Sequence, residues 1–306
     1  MTRALVTGAS GFIGGRLVRR LLDAGTEVHA VARRPREGGG VQWWRADLSD
    51  PAAAEGVVRS VRPEVVYHLA GYVSGSRDLA AVAPSVRDTL AAGVNVLVAA
   101  ARTGCKVVLA GSMEEPAPSG EEPVPGSPYA AAKLALGSYG RMLHALHGLQ
   151  VVHLRLFMVY GPGQEDREKL VPYVVTSLLR GVPPRLASGE RPVDWVYVED
   201  VVDAFLAAAA KDSLAGHTLD IGSGALVTVR ALVAEIVTLV GTDVTPEFGA
   251  LPDRPLETVR AAEIERAKAL LDWVPRTPLR EGLRSTIEWY RAELIGSQPS
   301  AYEASR

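Results

Sequence analysis

Tyr129 and Lys133 stand four positions apart at the head of the alanine- and leucine-rich stretch 129–147. On a helix that spacing puts both side chains on one face. The chemistry open to such a pair is proton transfer. A phenol, with a reference pKa of about 10, is a poor shuttle at neutral pH, and a neighbouring ammonium favours its ionised form. Ser112 ends the apolar run that begins at Lys106, so its hydroxyl stands at the end of a candidate strand, where it could hydrogen-bond a reacting oxygen. Glu114 and Glu115 follow directly, with Met113 between them and the serine.

Proton transfer at a carbon-bound oxygen is commonly coupled to hydride transfer, and the N-terminus offers a place for a hydride carrier. Thr7-Gly8-Ala9-Ser10-Gly11-Phe12-Ile13-Gly14 joins the apolar run 4–6 to the helical stretch 12–24. Glycines there permit a tight turn, close approach of a pyrophosphate, and close packing of helix on strand. The helix start then presents free N–H groups and the positive end of its dipole to the phosphates. Gly8, Ser10, Gly11, Phe12, Ile13 and Gly14 are therefore candidate dinucleotide contacts. The charge of an oxidised nicotinamide would further favour the Tyr129 phenolate, and Lys133 could hold its ribose.

The next strand bears on which dinucleotide. An NAD site usually places a carboxylate there, about 20 residues past the glycines, for the ribose 2′-hydroxyl. Here the strand ends in Val31-Ala32-Arg33-Arg34. A carboxylate would repel a 2′-phosphate, whereas arginine grips it bidentately, so Arg33 and Arg34 point to NADP(H). Glu37 is left as a ribose contact from further along, and solvated loop arginines are the alternative reading.

What must position these groups is an alternation of elements. Apolar runs at 4–6, 27–31, 41–44, 64–69, 106–110 and 151–156 are separated by helical stretches at 12–24, 51–61, 84–103 and 129–147. Strands that are apolar throughout and divided by helices predict a parallel sheet covered on both faces, the doubly wound α/β (Rossmann) arrangement. Residues 1–160 are expected to form this cofactor domain with the Tyr/Lys pair. Past Gly161-Pro162-Gly163 the pattern turns mixed, with helices expected at 230–240, 261–271 and 279–295. Residues 161–295 are read as a smaller mixed α/β substrate lobe, although 194–198 and 217–221 are free to rejoin the main sheet. Residues 296–306 carry no pattern and are expected to be disordered.

Composition narrows the classes. The chain has 306 residues, a formal net charge of −2 and no basic block, which speaks against a nucleic-acid or anionic-membrane surface. No apolar run approaches the ~18 residues of a membrane span, and Arg16, Arg19 and Arg20 interrupt any signal-peptide core. Cys105 is the only cysteine, which rules out an internal disulfide; it reads as core filler in a reduced, cytoplasmic setting. The six histidines are scattered without metal-ligand spacing, no metal site is expected, and His68 reads as packed at a strand end.

With these residues in place, the chain resembles the extended short-chain dehydrogenase/reductases, in their nucleotide-sugar branch. The resemblance is carried by the glycine turn, Asp47-Leu48, His68-Leu69-Ala70-Gly71, Ser112, Tyr129 and Lys133, Tyr160-Gly161-Pro162-Gly163, Asp194 to Asp200, and Leu271 to Pro275. It implies that Asp47 and Leu48 flank the adenine, that Leu69, Ala70 and Gly71 line the cofactor cleft, and that the C-terminal lobe holds a nucleotide-diphosphate sugar. Arg191 and Arg254 are then candidates for the diphosphate, and a homodimer through helices 84–103 and 129–147 is implied as well. The chain departs from the family pattern at Val193, Met158 and Thr89, where arginine, asparagine and asparagine are frequent.

The stretch after Ser112 discriminates among the reactions of this branch. The 4,6-dehydratases carry an acid–base carboxylate pair there, because eliminating water across two carbons needs two proton transfers. Met113 cannot transfer a proton, and only Glu114 remains at that pair of positions. Gly-Ser-x-Glu-Glu instead resembles the 4-keto-6-deoxy-sugar reductases of deoxysugar biosynthesis. An exchangeable NADPH suits net reduction, whereas epimerases and dehydratases recycle a retained cofactor. The expectation is a ketoreductase in which Tyr129 protonates the C4 oxygen, Ser112 polarises the carbonyl, Glu114 contacts the sugar and Met113 walls the pocket. For both glutamates the alternative is a solvated loop charge. A 4-epimerase or 4,6-dehydratase is the runner-up, and a non-catalytic NADP-sensing regulator a remote third.

Overall fold

A computed structural model describes residues 2–116 and 124–296; the expected tail from 297 onward lies outside the described residues. Ten strands and ten α-helical segments follow in chain order: β1 (Arg3–Thr7), α1 (Phe12–Asp23), β2 (Glu27–Ala32), β3 (Gln42–Arg45), α2 (Pro51–Val61), β4 (Val65–His68), α3 (Val82–Pro84), α4 (Ala92–Thr103), β5 (Lys106–Ser112), α5 (Pro128–His147), β6 (Val151–Leu156), β7 (Met158–Tyr160), α6 (Leu170–Leu179), β8 (Pro192–Tyr197), α7 (Val198–Ala210), β9 (Thr218–Ile221), β10 (Leu226–Thr228), α8 (Val229–Val240), α9 (Ile264–Leu271) and α10 (Leu279–Gly296).

Seven strands form one parallel sheet in the order β3-β2-β1-β4-β5-β6-β9. Chain direction across the sheet reverses between β1 and β4, which opens a crevice at their carboxyl ends. Leu17, Leu21, Val201 and Phe205 from α1 and α7 bury one face of the sheet. Val57, Val58, Val96, Leu97, Leu136 and Leu143 from α2, α4 and α5 bury the other. Cys105 belongs to that second core, where burial pushes its thiol pKa up.

Local sequence explains where the key helix starts. Ser127 caps α5 by accepting the Ala130 N–H at 3.1 Å, Pro128 sits in the first turn, and Gly148 closes the helix in the left-handed region. Tyr129 is thereby held in the first turn and Lys133 one turn further on.

Two details differ from the sequence expectation. The helix expected at 84–103 begins at Val82 and is π-helical over Ser85–Ala91 before α4. There Thr89 Oγ1 accepts the Tyr72 N–H at 2.9 Å, tying the wide turns to the chain just past β4. Of the two segments free to rejoin the main sheet, only 217–221 does so, as β9 beside β6. Segment 194–198 supplies β8, the centre of a second sheet ordered β10-β8-β7. Helices α6, α8 and α10 pack on that sheet around Tyr160, Trp195, Leu232 and Leu283. No helix among the described residues is long and apolar enough to cross a membrane.

Candidate functional site

A long cleft runs over the carboxyl ends of β1 and β4 and on between the two sheets, and the residues singled out above for catalysis, cofactor or substrate line it, except Glu37, which lies outside the lining. The glycine turn forms one end. Gly8 has φ +71°, and a Cβ there would stand 2.8 Å from Ala70 N, so the loops after β1 and β4 touch backbone to backbone. A Cβ on Gly14 would overlap the Gly8 carbonyl oxygen and lie 2.8 Å from the Gly8 carbonyl carbon. Helix α1 begins on Gly11, which offers no capping side chain, and its first internal bond is Gly15 N–H to Gly11 O at 2.8 Å. The N–H groups of the first turn are thus left for an outside acceptor. This cradle fits the pyrophosphate of a dinucleotide.

At the end of the cleft expected to take the adenosine, the arginines are not simply free. Arg33 Nη1 lies 3.3 Å from Asp88 Oδ2 on the π-helical stretch, and Arg87 also grips Asp88 at 2.8 Å. Hydrogen bonds from Arg87, ahead of the opposing effect of burial, hold the Asp88 carboxyl below its ordinary range. Asp47 accepts from the N–H and hydroxyl of Ser49 at 3.0 and 2.8 Å, which lowers its pKa.

The candidate catalytic groups lie where β5 and α5 meet. Ser112 acts on the Tyr129 phenol from the end of β5 and favours its ionised form. Lys133 Nζ donates to the Ala110 carbonyl at 2.8 Å and lies 5.8 Å from the centre of the Tyr129 ring. Burial pulls the Lys133 pKa down to about 8, against the raising effect of Glu115. Tyr129 runs opposite to the sequence expectation: burial, with Glu114 and Glu115, pushes its pKa up, and only Ser112 opposes this. In the chain alone the neutral phenol is therefore the resting form. Burial is the largest cause, and the ammonium of Lys133 is turned to a backbone carbonyl instead.

The two glutamates divide. Glu114 is half-buried on the cleft wall, where Ser127 Oγ donates to its Oε2 at 3.0 Å. Glu115 faces inward and is 3% exposed; its Oε1 accepts the Ser112 N–H at 2.7 Å and sits 3.3 Å from His153 Nε2. Neither is the solvated charge weighed from sequence. Glu115 and His153 are the site-shaping pair that sequence reasoning missed, because nothing local marks a glutamate two positions past a cleft residue as buried. Met113 is 3% exposed against the cleft, and its carbonyl accepts from Arg260 Nε at 3.4 Å.

On the substrate side, Arg191 reaches the cleft but is tied to Glu257 Oε1 at 2.8 Å and the Thr258 carbonyl at 3.0 Å. Arg254 lies against Gly75, its Nη1 2.7 Å from where a Cβ on that glycine would sit. Strand alternation turns Val193 and Trp195 to the cleft and Asp194 away from it. Asp194 is fully buried and accepts the N–H groups of Ser223, Gly224 and Ala262 and the Ser223 hydroxyl, at 2.6 to 2.9 Å. His68 is fully buried, paired with Thr7 Oγ1 at 2.8 Å and kept neutral, its pKa lowered to about 3 by burial and Lys133. Among the described residues no cluster of His, Cys, Asp or Glu side chains is arranged to hold a metal ion.

A parallel sheet with a phosphate cradle at its switch point and a Ser/Tyr/Lys cluster beside it defines the class: a dinucleotide-binding fold equipped for acid–base work on an oxygen. The chain belongs to the NAD dependent epimerase/dehydratase family, whose model matches residues 4–222. It is 32% identical to the UDP-glucose 4-epimerase of Mycolicibacterium smegmatis, over 94% of this chain and 98% of that protein. It is 31% identical to a dTDP-glucose 4,6-dehydratase of Streptomyces niveus, over 94% of this chain and 93% of the relative. A solved structure of the Thermus thermophilus UDP-glucose 4-epimerase in complex with NAD superposes with a TM-score of 0.83 at 30% identity, covering 95% of this chain and 99% of the other.

Proposed function

We propose that the chain is an NADPH-dependent reductase acting on the C4 ketone of a nucleotide-diphosphate 4-keto-6-deoxy sugar. The observation that carries this reading is that, among the described residues that directly follow Ser112, a single carboxylate is presented to the cleft. Met113 occupies the first position and Glu115 is turned into the core, so Glu114 stands alone. Elimination of water across two carbons needs both an acid and a base, and among the described residues that directly follow Ser112 one carboxylate faces the cleft, which disfavours a 4,6-dehydratase. Arg33 and Arg34 at the adenosine end, with no carboxylate on β2 itself at that point, favour a 2′-phosphate and hence a cofactor exchanged at each turnover.

Bound NADPH supplies the hydride; the rest falls to the chain. Ser112 and Tyr129, which line the same cleft, form a two-hydroxyl seat for the C4 oxygen. Tyr129, held neutral by burial, gives that oxygen a proton as the alcohol forms. Lys133 fixes the cofactor's ribose and, as an ammonium, stabilises the phenolate left on Tyr129 until a proton from solvent restores the phenol. Glu114, anchored through Ser127 to the cap of α5, orients the sugar. Arg191 and Arg254, both lining the cleft, hold the diphosphate. A homodimer through the outer faces of helix 82–103 and α5 belongs to the same reading, supported by exposed Val82, Val86, Tyr139, Met142 and Leu146.

The likeness to UDP-glucose 4-epimerases supports a second reading, a 4-epimerase with retained NAD. One experiment separates them. The protein is incubated with NADPH and a panel of nucleotide 4-keto-6-deoxy sugars, and absorbance at the nicotinamide band is followed; stoichiometric loss is expected. Cofactor that is never consumed while UDP-glucose and UDP-galactose interconvert would replace the reductase by the epimerase.

A further inference from the structure

Glu115 is the one charged group of the catalytic stretch that has left the cleft, and the fold makes room for it. A Cβ on Gly111 would overlap His153 Nε2 and stand 2.5 Å from Glu115 Oε1; one on Gly137 would stand 2.6 Å from His153 Cε1. Two elements, β5 and α5, thus give up side chains so that an imidazole and a carboxylate can meet beneath Ser112. Burying a carboxylate carries a desolvation cost that an apolar side chain would avoid. Here the carboxylate closes a turn. Ser112 N–H donates to Glu115 Oε1 at 2.7 Å, Glu115 N–H to the Ser112 carbonyl at 3.1 Å, and Glu114 N–H to Ser112 Oγ at 3.2 Å.

We propose that Glu115, held from below by His153, is a positioning residue that sets the orientation of the Ser112 hydroxyl toward the reacting oxygen; this rests on the reading of Ser112 given above. Strand β5 ends at Ser112, so the sheet holds only one side of this residue, and the bond to Glu115 holds the other. The carboxylate also acts electrostatically on Lys133 and on Arg260, giving the cationic side of the site a buried counter-charge. Glutamine at 115 keeps an oxygen for the Ser112 N–H but loses that charge; leucine loses both.

The test uses the full chain in two measurements. Amide exchange at Ser112 is followed by NMR without ligand, and turnover of dTDP-4-keto-6-deoxyglucose with NADPH is measured for Glu115→Leu, Glu115→Gln, Ser112→Ala and the double variant Ser112→Ala/Glu115→Leu. Glu115→Leu is expected to expose the Ser112 amide while Val108 and Leu109 stay protected. It is expected to lower kcat about 100-fold, with KM and the NADPH Kd changed by less than about threefold. Glu115→Gln restores most of kcat, and Glu115→Leu costs nothing further once Ser112 is alanine. Wild-type kcat in Glu115→Leu, an unchanged Ser112 amide, or an equal loss in the Ser112→Ala background overturns the proposal. If Glu115→Leu does not fold, His153→Asn carries the same two measurements, and wild-type values in both overturn it. Full turnover by Ser112→Ala sinks the reading of Ser112 instead. If the wild type leaves the ketone untouched, the reductase reading fails, and amide exchange alone decides on Glu115.

Discussion

Gly14→Ala and Gly15→Ala are adjacent, chemically identical changes on α1 with opposite expected outcomes. At Gly14 the added carbon would overlap the Gly8 carbonyl oxygen and stand 2.8 Å from its carbon and 3.0 Å from Ala9 Cα. All three are backbone atoms that cannot rotate away, so helix and turn must separate. Overpacking of this kind costs about 1–3 kcal/mol of stability. Separation also misaligns the first-turn N–H groups of α1, which on the proposed function face the cofactor's pyrophosphate. A hydrogen bond to a charged group contributes about 1.5–3 kcal/mol, so losing one raises the NADPH Kd roughly 10- to 150-fold. At Gly15 the nearest atom is the Ala9 carbonyl oxygen at 3.5 Å, an ordinary contact on an exposed helix surface. Alanine there gains helix propensity, up to about 1 kcal/mol, and leaves the cradle intact. Urea unfolding and titration of nicotinamide fluorescence on the two variants read both quantities. A Gly14→Ala protein that binds NADPH as the wild type does would refute the argument from close approach. Equal losses in both variants would show that the contact with Gly8 is not the cause.

Other outcomes follow from the same geometry. Tyr129→Phe keeps the ring and removes the proton; turnover of the accepted sugar should fall about 10²- to 10⁴-fold with NADPH binding unchanged, and surviving turnover would end the catalytic reading. Asp194→Ala leaves three backbone donors and a hydroxyl without their acceptor, so unfolding free energy should drop by at least about 3 kcal/mol in urea, though Asp194 never reaches the cleft. His68, with its pKa lowered from 6.5 to about 3 in the fold, binds a proton in the unfolded chain first. Its share of stability is therefore complete above pH 6.5 and is lost as pH falls, by about 2 kcal/mol between pH 6.5 and 5. His68→Gln should flatten that part of the stability profile, and an unchanged slope would show that His68 is not the group responsible.

Much of this molecule is local, and local features are legible in a sequence. The alternation of apolar strands with helices yields the sheet because each strand is buried on both faces. The glycine turn is legible because only glycine tolerates the backbone at Gly8 and the approach at Gly14. Tyr129 and Lys133 share a face because a helix repeats every 3.6 residues, and Ser127-Pro128 starts that helix at the right place. Long-range pairing decided the rest. Segments 194–198 and 217–221 look alike as apolar runs, yet one centres the small sheet and the other joins β6, a choice made by partners far along the chain. Arg191 reads as a free cation until Glu257, 66 residues away, is found against it. Glu114 and Glu115 are the same residue in neighbouring positions. Only the pairing of β6 alongside β5, which brings His153 within 3.3 Å, sends one to the cleft and the other into the core, since burial of a charge depends on groups that no local pattern records.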